Sequence, residues 1–221
     1  MKILLIGGNG TIGKRVKERL QRDHEIIVAG KHSGDLRVNL ESSLSIKELF
    51  EKTGKLDAII CTAGETKWDK FKLLQEEDYQ NGIQSKLMGQ INLVRIGREF
   101  IHKGGSITLI SGILGDEPVP TTTIPAMVDG AIHSFVLAVN LELPDIRVNV
   151  ICPDLVEDSF EKLKDYFPGH IPVPMDKITD AYVECIEGNI RGKIIRINFP
   201  PTGSSRNRRK GSPPSDIHKA W

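Results

Sequence analysis

Seven short apolar runs rich in isoleucine, valine and leucine recur along the chain, and segments with helical periodicity separate most of them. The runs cover residues 2–7, 25–30, 36–40, 56–61, 106–111, 146–152 and 193–198. Runs of this kind are typical of strands buried on both faces of a sheet. Strands that alternate with helices form right-handed βαβ units and a parallel sheet. The pattern predicts a single α/β domain with a Rossmann-type, doubly wound parallel sheet of about seven strands, flanked by helices.

The predicted helices fix where a ligand site should lie. They cover the segment that contains Ile12, Val16 and Leu20, then 45–53, about 83–103, about 124–142 and about 176–188. The second is opened by a capping pattern that begins at Ser45 and ends at Glu48. Ligands of such sheets bind at the carboxyl ends of the strands. We therefore expect functional residues just after Ile6, Ala29, Ile60, Ile110 and Ile151.

The composition excludes several classes of protein. Apolar residues make up 39% and charged residues 27%, with a net charge of +1, so neither a nucleic acid nor a membrane is expected as a partner. The first apolar run is too short for a signal peptide, which predicts a cytoplasmic location. Cys61, Cys152 and Cys185 lack metal-ligand spacing, as do the six histidines. We expect buried, reduced thiols and no metal.

The segment 200–221 differs from the rest of the chain. It is rich in proline, carries a basic cluster at 206–210 and has no apolar periodicity. We predict a domain over residues 1–199 and a basic tail over 200–221 that is disordered or foreign to the domain. Nucleic-acid binding by the tail is the alternative.

The first strand runs directly into a glycine-rich turn and then into an amphipathic helix. In this context Gly7 allows the tight turn, Gly10 lets the backbone approach a pyrophosphate, and Gly13 lets helix and strand pack closely. The helix N-terminus adds N–H groups that bind phosphate. We predict dinucleotide contacts from the whole turn, which comprises Gly7, Gly8, Asn9, Gly10, Thr11, Ile12 and Gly13.

The end of the second strand indicates which dinucleotide binds. Lys31, His32 and Ser33 stand where a carboxylate would hold the ribose 2′-hydroxyl of NAD. A lysine and a hydroxyl attract a 2′-phosphate, so NADP(H) is favoured over NAD(H). Asp35, a few residues further on, is the competing candidate and would favour NAD(H).

Four motifs resemble those of the short-chain dehydrogenase/reductase superfamily over about residues 1–199. They are GGNGTIG at 7–13, CTAG at 61–64, GSITLISG at 105–112 and RVNVICPD at 147–154. The chain looks most like a short, divergent subgroup of about 200 residues. The resemblance implies a nicotinamide cofactor, and we expect additional cofactor contacts from Asn39, Thr62, Ala63, Gly64 and Pro153.

The resemblance fails at the catalytic tetrad. The family's Asn, Ser, Tyr and Lys positions fall on Lys86, Gly112, Pro125 and Asp129, so no member of the tetrad is retained. Lys86, as a carbonyl polariser or proton donor, and Ser111, as a hydrogen-bond donor, are the remaining catalytic candidates, although strand alternation turns Ser111 away from the site. In the alternative, Lys86 and Asp129 form a salt bridge that serves structure alone.

Two interpretations of function follow. The first is an atypical NADP(H)-dependent oxidoreductase that acts on a small carbonyl or alcohol with non-standard residues. The alternative is a catalytically inactive NADP(H)-binding module with a regulatory or structural role, which Pro125 favours because proline has no donor. An accessible pocket beside the nicotinamide would favour the first, and a filled pocket the second. The resemblance further implies a homodimer or homotetramer through the helices at 83–103 and 124–142.

Overall fold

A single parallel sheet forms the centre of the computed structural model, which describes residues 1–197. The seven strands of the described part are β1 Lys2–Ile6, β2 Glu25–Gly30, β3 Leu36–Arg37, β4 Leu56–Cys61, β5 Ile101–Ile110, β6 Arg147–Pro153 and β7 Ile194–Ile197. Their order is β3-β2-β1-β4-β5-β6-β7, with all pairs parallel. The predicted Rossmann-type sheet is confirmed, and its strand order reverses between β1 and β4, where such sheets bind ligands.

Seven α-helices of the described residues connect these strands. They are α1 Thr11–Leu20, α2 Ser43–Thr53, α3 Glu76–Gly82, α4 Gly89–Gly97, α5 Thr123–Glu142, α6 Glu157–Leu163 and α7 Met175–Glu187. The predicted capping at Ser45 was wrong, because α2 begins earlier and Ser42 caps it, its hydroxyl accepting from the Ser45 amide at 3.2 Å. The Ser45 hydroxyl instead accepts from the Asn39 amide at 3.0 Å.

The predicted helix over 83–103 was wrong at both ends. Helical structure runs from α3 through a π-helical turn, Ile83–Met88, into α4, and it ends before β5 begins at Ile101. Ile101 pairs with Leu56 in the sheet, and the register then shifts around Gly104, which has a φ of +84°. Gly104 lies within β5, and the helix has already ended at Gly97, before Ile101 joins the sheet. The strand predicted over 36–40 was also too long, since β3 is an edge strand of only two residues.

Apolar side chains cover both faces of the sheet. One layer packs α2, α4 and α5 against residues such as Leu4 and Ile6, and the other packs α1 and α7 against residues such as Ile3 and Leu5. This alternation along β1 is the period of two that a strand buried on both faces requires. The three cysteines are free and buried, as predicted.

Helix α5 is the one helix of the described chain that is long and apolar enough to cross a membrane by length and composition. Less than half of its most apolar window is buried in the fold. Ile124, Val128, Ile132 and Val136 form the stripe that packs on the sheet. The core helix of a globular domain meets the same criterion of length and hydropathy.

Part of the RVNVICPD motif has a structural role. The guanidinium of Arg147 donates to the carbonyl oxygens of Cys185, Ile186 and Ile190 at 2.6 to 3.2 Å. The buried Asn149 amide donates to the Ile190 carbonyl at 3.0 Å and accepts from the Lys193 amide at 3.1 Å. These bonds satisfy the last carbonyls of α7 and join β6 to the segment that leads into β7.

Candidate cofactor and active site

The glycine-rich turn leaves open space at the start of α1. Gly7 has a φ of +83°, and a Cβ on Gly13 would lie 2.1 Å from the Gly7 carbonyl oxygen, so helix and strand are in close contact there. A Cβ on Gly10 would meet only that same oxygen within 4 Å, at 3.3 Å. The turn is therefore open at Gly10, next to the N-terminus of α1, and backbone N–H groups at a helix N-terminus are able to bind a phosphate.

Polar side chains cluster beside the end of β2. The Asn9 side-chain amide donates to the Ser33 hydroxyl at 2.9 Å, and the Lys31 ammonium lies 3.3 Å from the Glu41 carboxylate. His32 is exposed. Asp35 is used elsewhere, because its carboxylate accepts from the Val28 amide, two residues before the end of β2, at 2.8 Å.

A small cleft of about 90 Å³ adjoins these side chains. Lys31, Asn39, Ala63 and Gly64 are among the residues that line it. The Thr62 hydroxyl donates to the Ile6 carbonyl at 3.1 Å, which ties the loop after β4 to the end of β1. Pro153 lies at the end of β6, where it pairs with Ile197, and lines neither this cleft nor the cavity described next.

A larger cavity of about 420 Å³ lies next to this cleft. Its walls include Ser111 and the four positions at which the resemblance places the family's tetrad. These residues are Lys86, Ser111, Gly112, Pro125 and Asp129. They come from the π-helical turn, the end of β5 and the first turns of α5. The structure thus brings together in one wall the positions that were located separately in the sequence.

Lys86 and Asp129 form a buried ion pair in this wall. The ammonium nitrogen lies 2.7 Å from Oδ1 of Asp129, and the two side chains are 14% and 2% exposed. Burial raises the pKa of the Asp129 carboxyl, and the Lys86 charge partly offsets that rise. A Cβ on Gly64 would lie 2.6 Å from Cγ of Lys86, so glycine there leaves room for the lysine. The salt bridge considered from sequence is confirmed, and it faces the cavity.

The Ser111 hydroxyl is engaged in hydrogen bonds within the protein and is not free to bind a substrate. Ser111 Oγ lies 2.8 Å from Nε2 of His133 and 3.4 Å from the Ile151 carbonyl oxygen.

The buried Gln90 amide fixes the end of β5, donating to the Ile110 carbonyl at 2.9 Å and accepting from the Ile110 amide at 2.8 Å. Sequence reasoning missed Gln90, although a polar residue within the apolar stripe of a helix is a signal for such a role.

The segment between β6 and α7 contacts the cavity wall from outside, through Tyr166. Trp68, which lines the cavity, makes an edge-on contact with Tyr166 at 6.2 Å between ring centroids. The fully buried Asp154 carboxylate accepts from the His170 ring at 2.8 Å. Burial raises the pKa of Asp154, and the His170 contact opposes the rise. The aspartate that follows Pro153 therefore anchors the segment between β6 and α7.

Comparisons with known proteins agree with this architecture. The family described as enoyl-(acyl carrier protein) reductase matches residues 11–171. The protein lin1944 from Listeria innocua has a crystal structure that is 40% identical, with a TM-score of 0.86, and the match covers 89% of this chain and 98% of that one. The short-chain dehydrogenase/reductase ATR9 from Stachybotrys chlorohalonatus is 27% identical over 68% of this chain and 72% of its own.

A small-chain dehydrogenase in complex with NADPH shares the fold. It is 24% identical with a TM-score of 0.80, over 90% of this chain and 96% of that one. Alignments with three curated relatives span 55% to 72% of the length of those proteins. The chain belongs to the short-chain dehydrogenase/reductase superfamily.

Proposed function

We propose that this protein is an atypical NADP(H)-dependent oxidoreductase that acts on a small carbonyl or alcohol. The observation that carries the proposal is the cavity of about 420 Å³ whose wall holds the Lys86 ammonium. An oxidoreductase needs a space of this kind at the tetrad positions to hold its substrate. The cavity is of the size that small-molecule sites in proteins have.

The residues that follow β1 and β2 fit the cofactor. The open turn at 7–13 would hold the pyrophosphate, and Asn9, Lys31 and Ser33 would hold a 2′-phosphate. One oxygen of the Asp35 carboxylate, Oδ2, already accepts from the Val28 amide, which makes Asp35 a weaker ligand for the ribose of NAD(H). When bound, the nicotinamide supplies or accepts the hydride. A structural neighbour solved with NADPH supports nicotinamide cofactor binding by this fold.

Lys86 is the residue we assign to the substrate oxygen. Pro125 and Gly112 have no side-chain donor, and the Ser111 hydroxyl is engaged by His133. The ammonium of Lys86 would polarise a carbonyl oxygen or donate a proton to it, while Asp129 holds the ammonium in the wall. Asp129 thus acts as a positioning residue.

NADPH oxidation measured against a broad carbonyl panel tests the activity. With an active substrate, Lys86→Met should lower turnover roughly 100-fold or more, since a proton donor is typically worth that much. NADPH affinity should stay nearly intact, which also reports that the variant is folded. Lys103→Met removes an exposed lysine that is paired with Asp145 far from the cavity, and should change neither quantity. Unchanged turnover in folded Lys86→Met would remove Lys86 from the mechanism.

Cofactor preference is tested by calorimetry. NADPH should bind at least several-fold more tightly than NADH, because a 2′-phosphate gains charge-assisted hydrogen bonds. Lys31→Glu should reverse the preference, whereas Lys47→Glu, on the exposed face of α2, should not. Equal affinities in the wild type would contradict the assignment. Binding of NADPH without turnover of any carbonyl would favour the inactive-module alternative.

A further inference from the structure

Three side chains with metal-ligand chemistry meet behind the wall of the larger cavity. Asp116 follows the short 3₁₀ turn after β5, His133 lies in α5 and Cys152 lies in β6. One carboxylate oxygen, one ring nitrogen and the sulfur all lie within 4.8 Å of one another. His133 and Cys152 are buried, while the Asp116 side chain is 28% exposed and leaves a path to solvent.

The distances are close to those of a metal site. Nδ1 of His133 lies 3.9 Å from Oδ1 of Asp116, and Sγ of Cys152 lies 4.0 Å from Oδ2. Zinc bonds of about 2.0–2.3 Å place tetrahedral ligand atoms roughly 3.3–3.6 Å apart. For these two pairs the side chains need to close by roughly half an ångström. Three protein ligands would leave the fourth position to water.

The surrounding hydrogen bonds orient the ligands. Nε2 of His133 is held by the Ser111 hydroxyl at 2.8 Å, which leaves Nδ1 free to face the cluster. Arg196 donates to both carboxylate oxygens of Asp116, at 2.8 and 2.9 Å. Each of these oxygens keeps a second lone pair. Partners of this kind are typical of histidine and carboxylate ligands.

The charges of the cluster suit a divalent cation. Asp116 supplies a carboxylate oxygen, His133 a ring nitrogen and Cys152 a sulfur, which are ligand types that first-row divalent metals bind. Burial raises the pKa of the Cys152 thiol to about 12. On binding, the S–H bond breaks, a sulfur–metal bond forms and the proton passes to solvent. A thiolate and a carboxylate together balance the two positive charges of the ion, and the Arg196 guanidinium remains as one further positive charge beside the site.

We propose that Asp116, His133 and Cys152 form a binding site for a first-row divalent metal, with zinc as the best match to a sulfur, nitrogen and oxygen ligand set. The proposal is independent of the proposed redox function, because it concerns residues behind the cavity wall and is tested without cofactor. Neither the spacing of the histidines nor that of the cysteines predicted this metal site, because its three ligands come from three separate elements.

The test uses the full chain, stripped of metal with a chelator and titrated with Co²⁺. The wild type should bind one equivalent and show the near-ultraviolet charge-transfer absorption of a thiolate bound to cobalt, and Zn²⁺ should displace it. Cys152→Ser should abolish that absorption and weaken Zn²⁺ binding at least roughly tenfold. Cys185→Ser is the matched control, a buried thiol whose pKa is also raised to about 12, and should leave both unchanged.

Asp116→Asn provides a second variant at a partly exposed position, and should also weaken Zn²⁺ binding at least roughly tenfold. Circular dichroism checks that each variant is folded. The proposal is overturned if the wild type shows no thiolate absorption with Co²⁺, or if Zn²⁺ binds equally well to Cys152→Ser. Neither result depends on whether the protein oxidises NADPH.

Discussion

At the scale of single residues, the ion pair between Lys86 and Asp129 makes a prediction about stability. Lys86→Met removes the charge that partly offsets the burial of the Asp129 carboxyl, so the pKa of Asp129 rises further. Removing one partner of a buried pair typically costs about 3–5 kcal/mol. We expect a loss of this order in the free energy of unfolding at neutral pH, measured by urea denaturation.

That loss of stability should depend on pH in a defined direction. A carboxyl whose folded pKa is raised is uncharged in both states below the unfolded value of about 3.9, where it causes no penalty. As pH rises from that value through the folded pKa, stability is lost. Lys86→Met should therefore lie closer to the wild type in acid than at neutral pH, and Lys86→Met with Asp129→Leu should recover much of the loss. An equal loss at both pH values would contradict this account.

At the scale of elements, Gln90 of α4 links this helix to the end of β5. Its amide satisfies both the N–H and the carbonyl of Ile110, and all of these groups are buried. Gln90→Leu would leave two backbone groups unpaired, at about 1–3 kcal/mol each. We expect a lower melting temperature by several degrees, measured by calorimetry. Gln80→Leu, on the exposed face of α3, is the control and should change the melting temperature little.

Comparing the predicted elements with the observed ones shows which of them the sequence could predict. The glycine turn and the parallel sheet follow from local patterns that repeat over a few residues, so both were predicted correctly apart from the bounds of β3 and β5. The end of the helix before β5 was not, because Ile101, which continues the apolar periodicity of the helix, pairs with Leu56 in the sheet. The cluster of Asp116, His133 and Cys152 depends on the packing of three distant elements, which no spacing in the sequence reveals.

At the scale of the whole molecule, the tail predicted over 200–221 lies outside the described residues. Its composition lacks a pattern that could form a core. We expect that truncation after Phe199 leaves the melting temperature and the NADPH affinity unchanged, as measured by calorimetry on both forms. A drop of several degrees in the truncated form would mean that the segment docks on the domain.

Association of the chain is predicted to use α5, together with α4. Met127, Leu137 and Leu141 are 41%, 53% and 87% exposed, and helical periodicity places them on one side of α5, opposite the stripe that packs on the sheet. Three large apolar side chains exposed on one helix face favour burial against a second copy through a two-fold interface. We expect a homodimer or homotetramer in sedimentation velocity at micromolar concentration.

Leu137→Glu combined with Leu141→Glu should shift the population to monomer, because the interface would bury unpaired carboxylates. Leu44→Glu, which places the same charge on an exposed position of α2, should leave the assembly intact. A wild type that sediments as a monomer at this concentration would refute the prediction.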